Sequence, residues 1–138
     1  MLLSTSINID IDPSCRPDII ASATHLPFRA CAFDLVFFTE VIEHLPKGEE
    51  VRALKEIERV LKKYGKVIFS CPNNVRLFTF LDPAYWIIGH RHYTFDQIKK
   101  FFNEAKLKVL VIYTAGSIWT CLSNLWYCLF IYPFKKFC

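Results

Sequence analysis

Glu40-x-x-Glu43-His44 sets two carboxylates and an imidazole directly after the apolar run Phe33–Phe38 (FDLVFF). These are groups that move protons, and Glu43 or His44 could serve as general base toward a protonated nucleophile. The same residue types also hold hard divalent cations. His90 and His92 add two imidazoles later in the chain. A third use is structural, with Glu43-His44 capping and orienting the helix that follows. A second group of polar residues lies nearer the N-terminus. Asp10 lies near the end of the β-rich run Ser6–Ile11 (SINIDI). An acid at the carboxyl end of a strand can accept both hydroxyls of a ribose. Asp12 stands two positions on, beside Pro13, where an Asx-type turn competes with ligand binding.

The elements that must position these groups alternate in type. Ser6–Ile11 and Asp18–Ser22 read as short extended pieces. Phe33–Phe38 is continuously apolar, as expected of a strand buried on both faces. From Gly48 to Lys63 the pattern is helical, with Val51, Leu54, Ile57, Val60 and Leu61 on one stripe, and Gly65 just beyond is placed for a left-handed cap. Lys66–Cys71 (KVIFSC) is the next buried strand, stopped by Pro72-Asn73-Asn74. Thr94 caps a helix through Ala105 whose stripe is Phe95, Ile98, Phe101 and Phe102. Leu107–Tyr113 (LKVLVIY) predicts a further strand. Strand, helix, strand, helix, strand at this spacing predicts an α/β fold, a mainly parallel sheet with flanking helices.

Composition bounds the rest. A chain of 138 residues has room for one core, and 53% hydrophobic against 22% charged residues excludes a disordered chain. Net charge is +4 but uneven: residues 1–50 carry eight acids and three bases, residues 51–138 five acids and fourteen bases. The basic back could meet nucleic acid or anionic lipid, or be no more than solvated helix faces. The six cysteines show no C-x-x-C pair and no metal-ligand spacing, and no secretory leader is visible, which predicts reduced thiols in a cytoplasmic protein. Cys71, Cys121 and Cys128 read as small apolar fillers.

Two segments fit the alternation poorly. Residues 77–93 (LFTFLDPAYWIIGHRHY) resemble a cap or lid. Residues 109–134 contain no charged side chain, which sets 117–138 apart as a hydrophobic helical tail behind a domain at 1–116. Within it, Ser117–Phe134 approaches the roughly 20 residues of a membrane span. Ser117, Thr120, Asn124 and Tyr127 form a polar stripe and Pro133 interrupts the run. The tail is therefore an interfacial anchor on a membrane surface or a helix packed on the sheet or on a partner chain.

Four stretches in order resemble the class I S-adenosylmethionine (SAM)-dependent methyltransferases of the type 11/23 family. They are NIDIDP, ASATHLPFRACAFDLVFFTEVIEHL, RVLKKYGKVIFSCPN and HRHYTFDQIKKFFNEAKLKVLVI, together covering roughly residues 6–113. The resemblance implies an incomplete Rossmann-like fold with SAM as cofactor. It implies a cofactor site of Asp10, Asp12, Ser22, Ala23, Thr39 and Glu40, with Glu43 and His44 as candidate catalytic groups. In the family the pair after the third strand is Asp-Ala, whose acid bonds the adenine amino group. Ser22-Ala23 departs from that, so this bond would weaken or pass to backbone groups. Leu26, Pro27 and Phe28 would form an apolar wall. Glu40, Glu43, His44 and His90 resemble the metal set of small-RNA 2′-O-methyltransferases, which implies a candidate metal site, although E-x-x-E-H also occurs in metal-free relatives.

The family's first strand and G-x-G-x-G loop should precede Asp10 by more residues than are present, and none of the four glycines (Gly48, Gly65, Gly89, Gly116) can replace that loop. The expectation is poor SAM affinity and a sheet lacking its middle strand. Three repairs are open: direct pairing of Ser6–Ile11 with Phe33–Phe38, a strand from a second chain in a homo-oligomer, or an N-terminal segment lost by truncation. Truncation with direct pairing of the remaining strands is the favoured expectation. The leading functional expectation is methyl transfer to an unidentified acceptor, small or lipid-linked in preference to RNA. Its rivals are a non-catalytic remnant that binds protein or membrane, and a metal-dependent RNA 2′-O-methyltransferase.

Overall fold

The computed structural model describes residues 6–72 and 91–111. Two short parallel strands come first, β1 (Ile9–Asp10) and β2 (Ile19–Ile20), with Ile9 opposite Ile19 and Asp10 opposite Ile20. A 3-10 turn at Pro13–Cys15 begins the crossover between them. Strand β3 (Phe33–Thr39), a 3-10 turn at Ile42–His44, helix α1 (Glu50–Val60) and strand β4 (Leu61–Ser70) follow. Beyond the undescribed residues comes helix α2 (Phe95–Glu104).

β3 and β4 run parallel, in register from Leu35 opposite Lys66 to Thr39 opposite Ser70, with an irregularity between Phe33 and Leu35. The carboxyl ends of both strands therefore stand side by side. A parallel pair needs a crossover, and α1 supplies it by burying Ala53, Leu54, Ile57 and Val60 at 0–1% exposure. Ala53, Leu54 and Ile57 form one core with Phe38, Ile42, Leu61, Tyr93, Phe102 and Ala105. α2 starts on a capping box: the Thr94 hydroxyl accepts from Gln97 N at 3.3 Å, and Thr94 N donates to Gln97 Oε1 at 2.9 Å. Such a cap is worth about 1 kcal/mol and fixes where α2 meets the sheet. The result is an incomplete Rossmann-like α/β fold of parallel strands, with both described helices on one side of the β3–β4 pair.

Several expectations are corrected. FDLVFF is not buried on both faces: Leu35 is 42% and Phe37 67% exposed, as is Ile68 of β4 at 47%. Among the described residues α1 and α2 both pack on the face of Val36, Phe38, Val67 and Phe69, which leaves the other face uncovered. The early strands do not pair with β3; β1 pairs with β2 and β3 with β4, in two separate two-stranded sheets. Helix α1 ends at Val60 rather than Lys63, because Leu61 already turns extended opposite Phe33. Gly65 is no left-handed cap. Tyr64 takes the positive φ of 71°, while Gly65 is required by space, since a Cβ there would meet Lys62 O at 2.9 Å and Phe33 O at 3.1 Å. Residues 107–111 form no described ladder, although Leu107 and Val109 pack on the core. Cys71 is half-buried beside the core, as a filler would be. No helix among the described residues is long and apolar enough to cross a membrane. The 77–90 part of the lid-like segment, the tail 117–138 with Cys121 and Cys128, and the 116/117 domain boundary lie outside the described residues.

Candidate functional site

Polar side chains gather at the carboxyl ends of both parallel pairs. At the first pair, Asp10 closes β1 and Ser22 follows β2, adjacent because Ala21 N donates to Asp10 O at 3.0 Å. Asp10 Oδ1 accepts from Asp12 N at 2.8 Å. Asp12 Oδ1 in turn accepts from Ser14 N at 2.8 Å and caps the 3-10 turn, so the Asx-type use of Asp12 is the one observed. Ser22 opens a tight turn closed by His25 N donating to Ser22 O at 2.9 Å. Inside it, Ser22 Oγ lies 2.9 Å from Thr24 Oγ1 and accepts from Thr24 N at 3.3 Å. Thr24 Oγ1 is 3.0 Å from His25 Nδ1, and Arg52 of α1 donates to His25 Nε2.

An arginine holds the next loop. Arg59 makes a two-point pair with Glu56, Nε to Oε1 and Nη2 to Oε2, each at 2.8 Å. Its guanidinium also donates to Phe28 O at 2.7 Å and Leu26 O at 3.0 Å, while Glu56 Oε2 accepts from Leu26 N at 2.9 Å. The Arg59 hydrogen bonds pull the Glu56 carboxyl down to about 2, against a smaller opposing effect of burial. Leu26 and Ala23 pack on the main core, and Phe28 stands edge-on to Phe33 at 4.8 Å. The apolar wall expected of Leu26, Pro27 and Phe28 is thus a fixed loop.

At the second pair, Thr39 ends β3 and Glu40 turns into the left-handed region at φ 53°. That conformation costs a β-carbon residue on the order of 1 kcal/mol. Two bonds to β4 hold it: Glu40 N donates to Ser70 O at 3.2 Å, and Ser70 Oγ donates to Glu40 Oε1 at 2.6 Å. Glu43 follows in the 3-10 turn at 3% exposure. Burial pushes its carboxyl up to about 8; hydrogen bonding to its own backbone opposes this and the neighbouring Glu40 reinforces it. Burial, then the charges of Glu43 and Glu40, push the Cys71 thiol up to about 12. His44 is exposed beside them.

A second arginine fixes that turn. Arg91 donates to Glu50 Oε1 at 2.5 Å, to Glu43 O at 3.2 Å, to Ile42 O at 3.1 Å and to Leu45 O. Tyr93 OH adds bonds to Ile42 O at 3.2 Å and Glu50 Oε1 at 3.3 Å, and its backbone N–H donates to Pro72 O at 3.1 Å.

The structure therefore gathers Asp10, Asp12, Ser22 and Ala23 at one strand pair and Thr39, Glu40, Glu43 and His44 at the other. Glu43 and His44 do not cap α1, whose N-cap is Glu49 with no side-chain cap bond. No group of three His, Cys, Asp or Glu residues among the described residues could hold a metal ion, and His90 lies outside them. Sequence reasoning missed both arginine clamps and the His25–Arg52 contact. Arg59 and Glu56 were detectable as an i,i+3 pair. Arg91 lies inside HRHY, where no spacing ties it to the distant Ile42–Leu45 turn.

Residues 5–69 match the family described as methyltransferase domain. An uncharacterized protein of Methanocaldococcus jannaschii is 46% identical over 55 residues, 40% of this chain and 23% of that protein. A protein of Encephalitozoon cuniculi named "Putative methyltransferase" is 50% identical over 44 residues, 31% of this chain and 21% of that protein. A SAM-dependent methyltransferase of Thermotoga maritima has a similar fold, with TM-score 0.52 and 22% identity over 62% of this chain and 42% of that one. The aligned part is thus under a quarter of each of the two curated relatives.

Proposed function

We propose that this chain, whose residues 5–69 match the methyltransferase-domain family, binds SAM and transfers its methyl group to a small or lipid-linked acceptor. The observation that carries the reading is the adjacency of Asp10 and Ser22 at the carboxyl ends of the β1–β2 pair. Ligands of open parallel sheets bind at such ends. The residues fit a nucleoside: Asp10 offers carboxylate oxygens for a ribose, and the Ser22–Ala23 turn offers a hydroxyl and backbone groups for a base. The fixed Leu26–Phe28 loop supplies an apolar surface.

When bound, SAM supplies a methyl group activated on a sulfonium. The chain's own residues must align the acceptor and take its proton. Glu43 suits the second task. With its carboxyl near 8 it exchanges a proton close to neutral pH, and the neighbouring Glu40 adds to that rise. Thr39 and Glu40 would border the methionine part of the cofactor, with exposed His44 on the acceptor side. The charge-free sequence 117–134 supports an acceptor carried on lipid.

Isothermal titration with S-adenosylhomocysteine (SAH) tests the cofactor reading. Binding is expected, weakened at least about tenfold by Asp10→Ala through loss of the ribose hydrogen bonds. No heat at millimolar ligand would leave the non-catalytic binding role as the better reading.

A further inference from the structure

The turn after β2 contains a directed chain of hydrogen bonds that decides what Ser22 can offer. It begins at Arg52, whose guanidinium has donors and no acceptor. Its contact with His25 Nε2 therefore makes Nε2 the acceptor, and Nδ1 carries the ring proton. Nδ1–H then donates to Thr24 Oγ1 at 3.0 Å. The Thr24 hydroxyl, having accepted there, turns its own proton to Ser22 Oγ at 2.9 Å. Ser22 Oγ also accepts from Thr24 N at 3.3 Å. Both acceptor positions of Ser22 are filled from within the turn, and Thr24, at 7% exposure, is packed too tightly to swing away. What remains for a ligand is the Ser22 proton.

We propose that Ser22 is a specificity-determining hydrogen-bond donor to the cofactor's purine, so that this site accepts a 6-keto base as readily as a 6-amino base. The inference rests on the cofactor reading above. An aspartate at this position is an acceptor and pairs with the amino group of adenine. A hydroxyl with its proton directed outward cannot, because the adenine amino group is itself only a donor. It must find a ring nitrogen of adenine or a keto oxygen. The site thus gives up the usual preference for adenine, and the relay from Arg52 enforces that choice from 30 residues away in sequence (Arg52 to Ser22).

Two measurements test this on the full chain. The first needs no cofactor: the ring nitrogen-15 shifts of His25 should report protonation at Nδ1, and protonation at Nε2 would reverse the relay and overturn the proposal. The second compares calorimetric binding of SAH with that of its 6-keto analogue, S-inosylhomocysteine. The wild-type chain should bind the analogue at least as tightly as SAH. Ser22→Asp should favour SAH by about tenfold. Thr24→Val, which frees one acceptor position on Ser22, should shift the ratio toward SAH without new charge. A wild-type preference for SAH of tenfold or more, unmoved by Thr24→Val, overturns the proposal while leaving the cofactor reading intact. Failure of both ligands to bind overturns the cofactor reading and the proposal with it.

Discussion

Two arginines do the same work at the two halves of the site, and they do it by different means. Arg59 and Arg91 each pair with a glutamate of α1 and spend their remaining donors on the carbonyls of a loop after a strand. Arg59 sits three residues from Glu56 on the same helix, with 36% and 22% of the two side chains exposed. It can form as soon as α1 does, and the Leu26–Phe28 loop then docks onto it. Arg91 reaches Glu50 across 41 residues, with only 26% and 7% exposed, and meets the carbonyls of Ile42, Glu43 and Leu45. It holds only when the chain after the undescribed segment has returned to the sheet. One clamp is local and wet, the other long-range and dry, and the dry one carries the turn that holds Glu43.

Removing Arg91 should therefore cost most. Glu50 would keep a buried charge without its partner, and three carbonyls would lose a donor. Burial works to raise the Glu50 carboxyl. Hydrogen bonds from the Glu50 and Gly48 backbone together with Arg91 overcome it and hold the carboxyl below the usual range. Breaking such a pair costs about 3–5 kcal/mol, so Arg91→Ala should lower the unfolding free energy by that much in denaturant titration. Arg91→Lys keeps the charge but cannot reach three carbonyls at once, and should fall in between. A loss for Arg91→Ala no greater than that of Arg59→Ala would erase the distinction.

The next largest effect is one of pH. Glu43 has a folded pKa raised from 4.5 to about 8, so the folded chain holds a proton there that the unfolded chain releases. Stability is full below about pH 4.5 and declines as pH rises toward about 8 and above. The Glu43 contribution should fall by up to a few kcal/mol between about pH 5 and pH 9. Glu43→Gln, a neutral amide of the same shape, should flatten that decline in thermal melts across the range. Glu56 has the opposite sign. Its pKa is lowered to about 2, and its contribution is present above about 4.5 and lost on acidification. The dry half of the site should thus loosen in base and the wet half in acid. An unchanged slope in Glu43→Gln would mean that Glu43 is ionised in the fold.

What the sequence could reveal follows the same line between local and long-range. The stripe Leu54, Ile57, Val60 fixed α1 to within a few residues, and Thr94 announced the start of α2, where Gln97 completes the capping box. Asp10 was legible from its place near the end of a short extended run, and Ser22 only through the family resemblance of Ser22-Ala23. Gly65 was legible as necessary but not for the right reason, since its use is closeness to Phe33 O on another strand. The exposed face of Leu35, Phe37 and Ile68 could not be read from FDLVFF, because an apolar run does not say how many layers cover it. Arg91 and Tyr93 were invisible for a related reason: their partners lie 41 to 51 residues away, and no periodicity encodes that.

The wet clamp offers the smaller tests. Arg59→Ala should cost about 1–2 kcal/mol, more than an exposed ion pair because two loop carbonyls and Leu26 N also depend on it. Smallest of all is Arg52, at 52% exposure, whose pair with Glu49 spans 3.4 Å. Arg52→Ala should change stability by no more than about 0.5 kcal/mol, as for any exposed i,i+3 pair. Its effect should appear instead in His25. Without the guanidinium on Nε2 the imidazole is free to take its proton on either nitrogen, and its ring nitrogen-15 shifts should move toward the averaged values of an unconstrained histidine. A residue nearly silent in a melting curve would then be decisive for how Ser22 presents its hydroxyl. If the His25 shifts in Arg52→Ala match those of the wild type, the relay starts elsewhere, and the wet half of the site is held together by Arg59 alone.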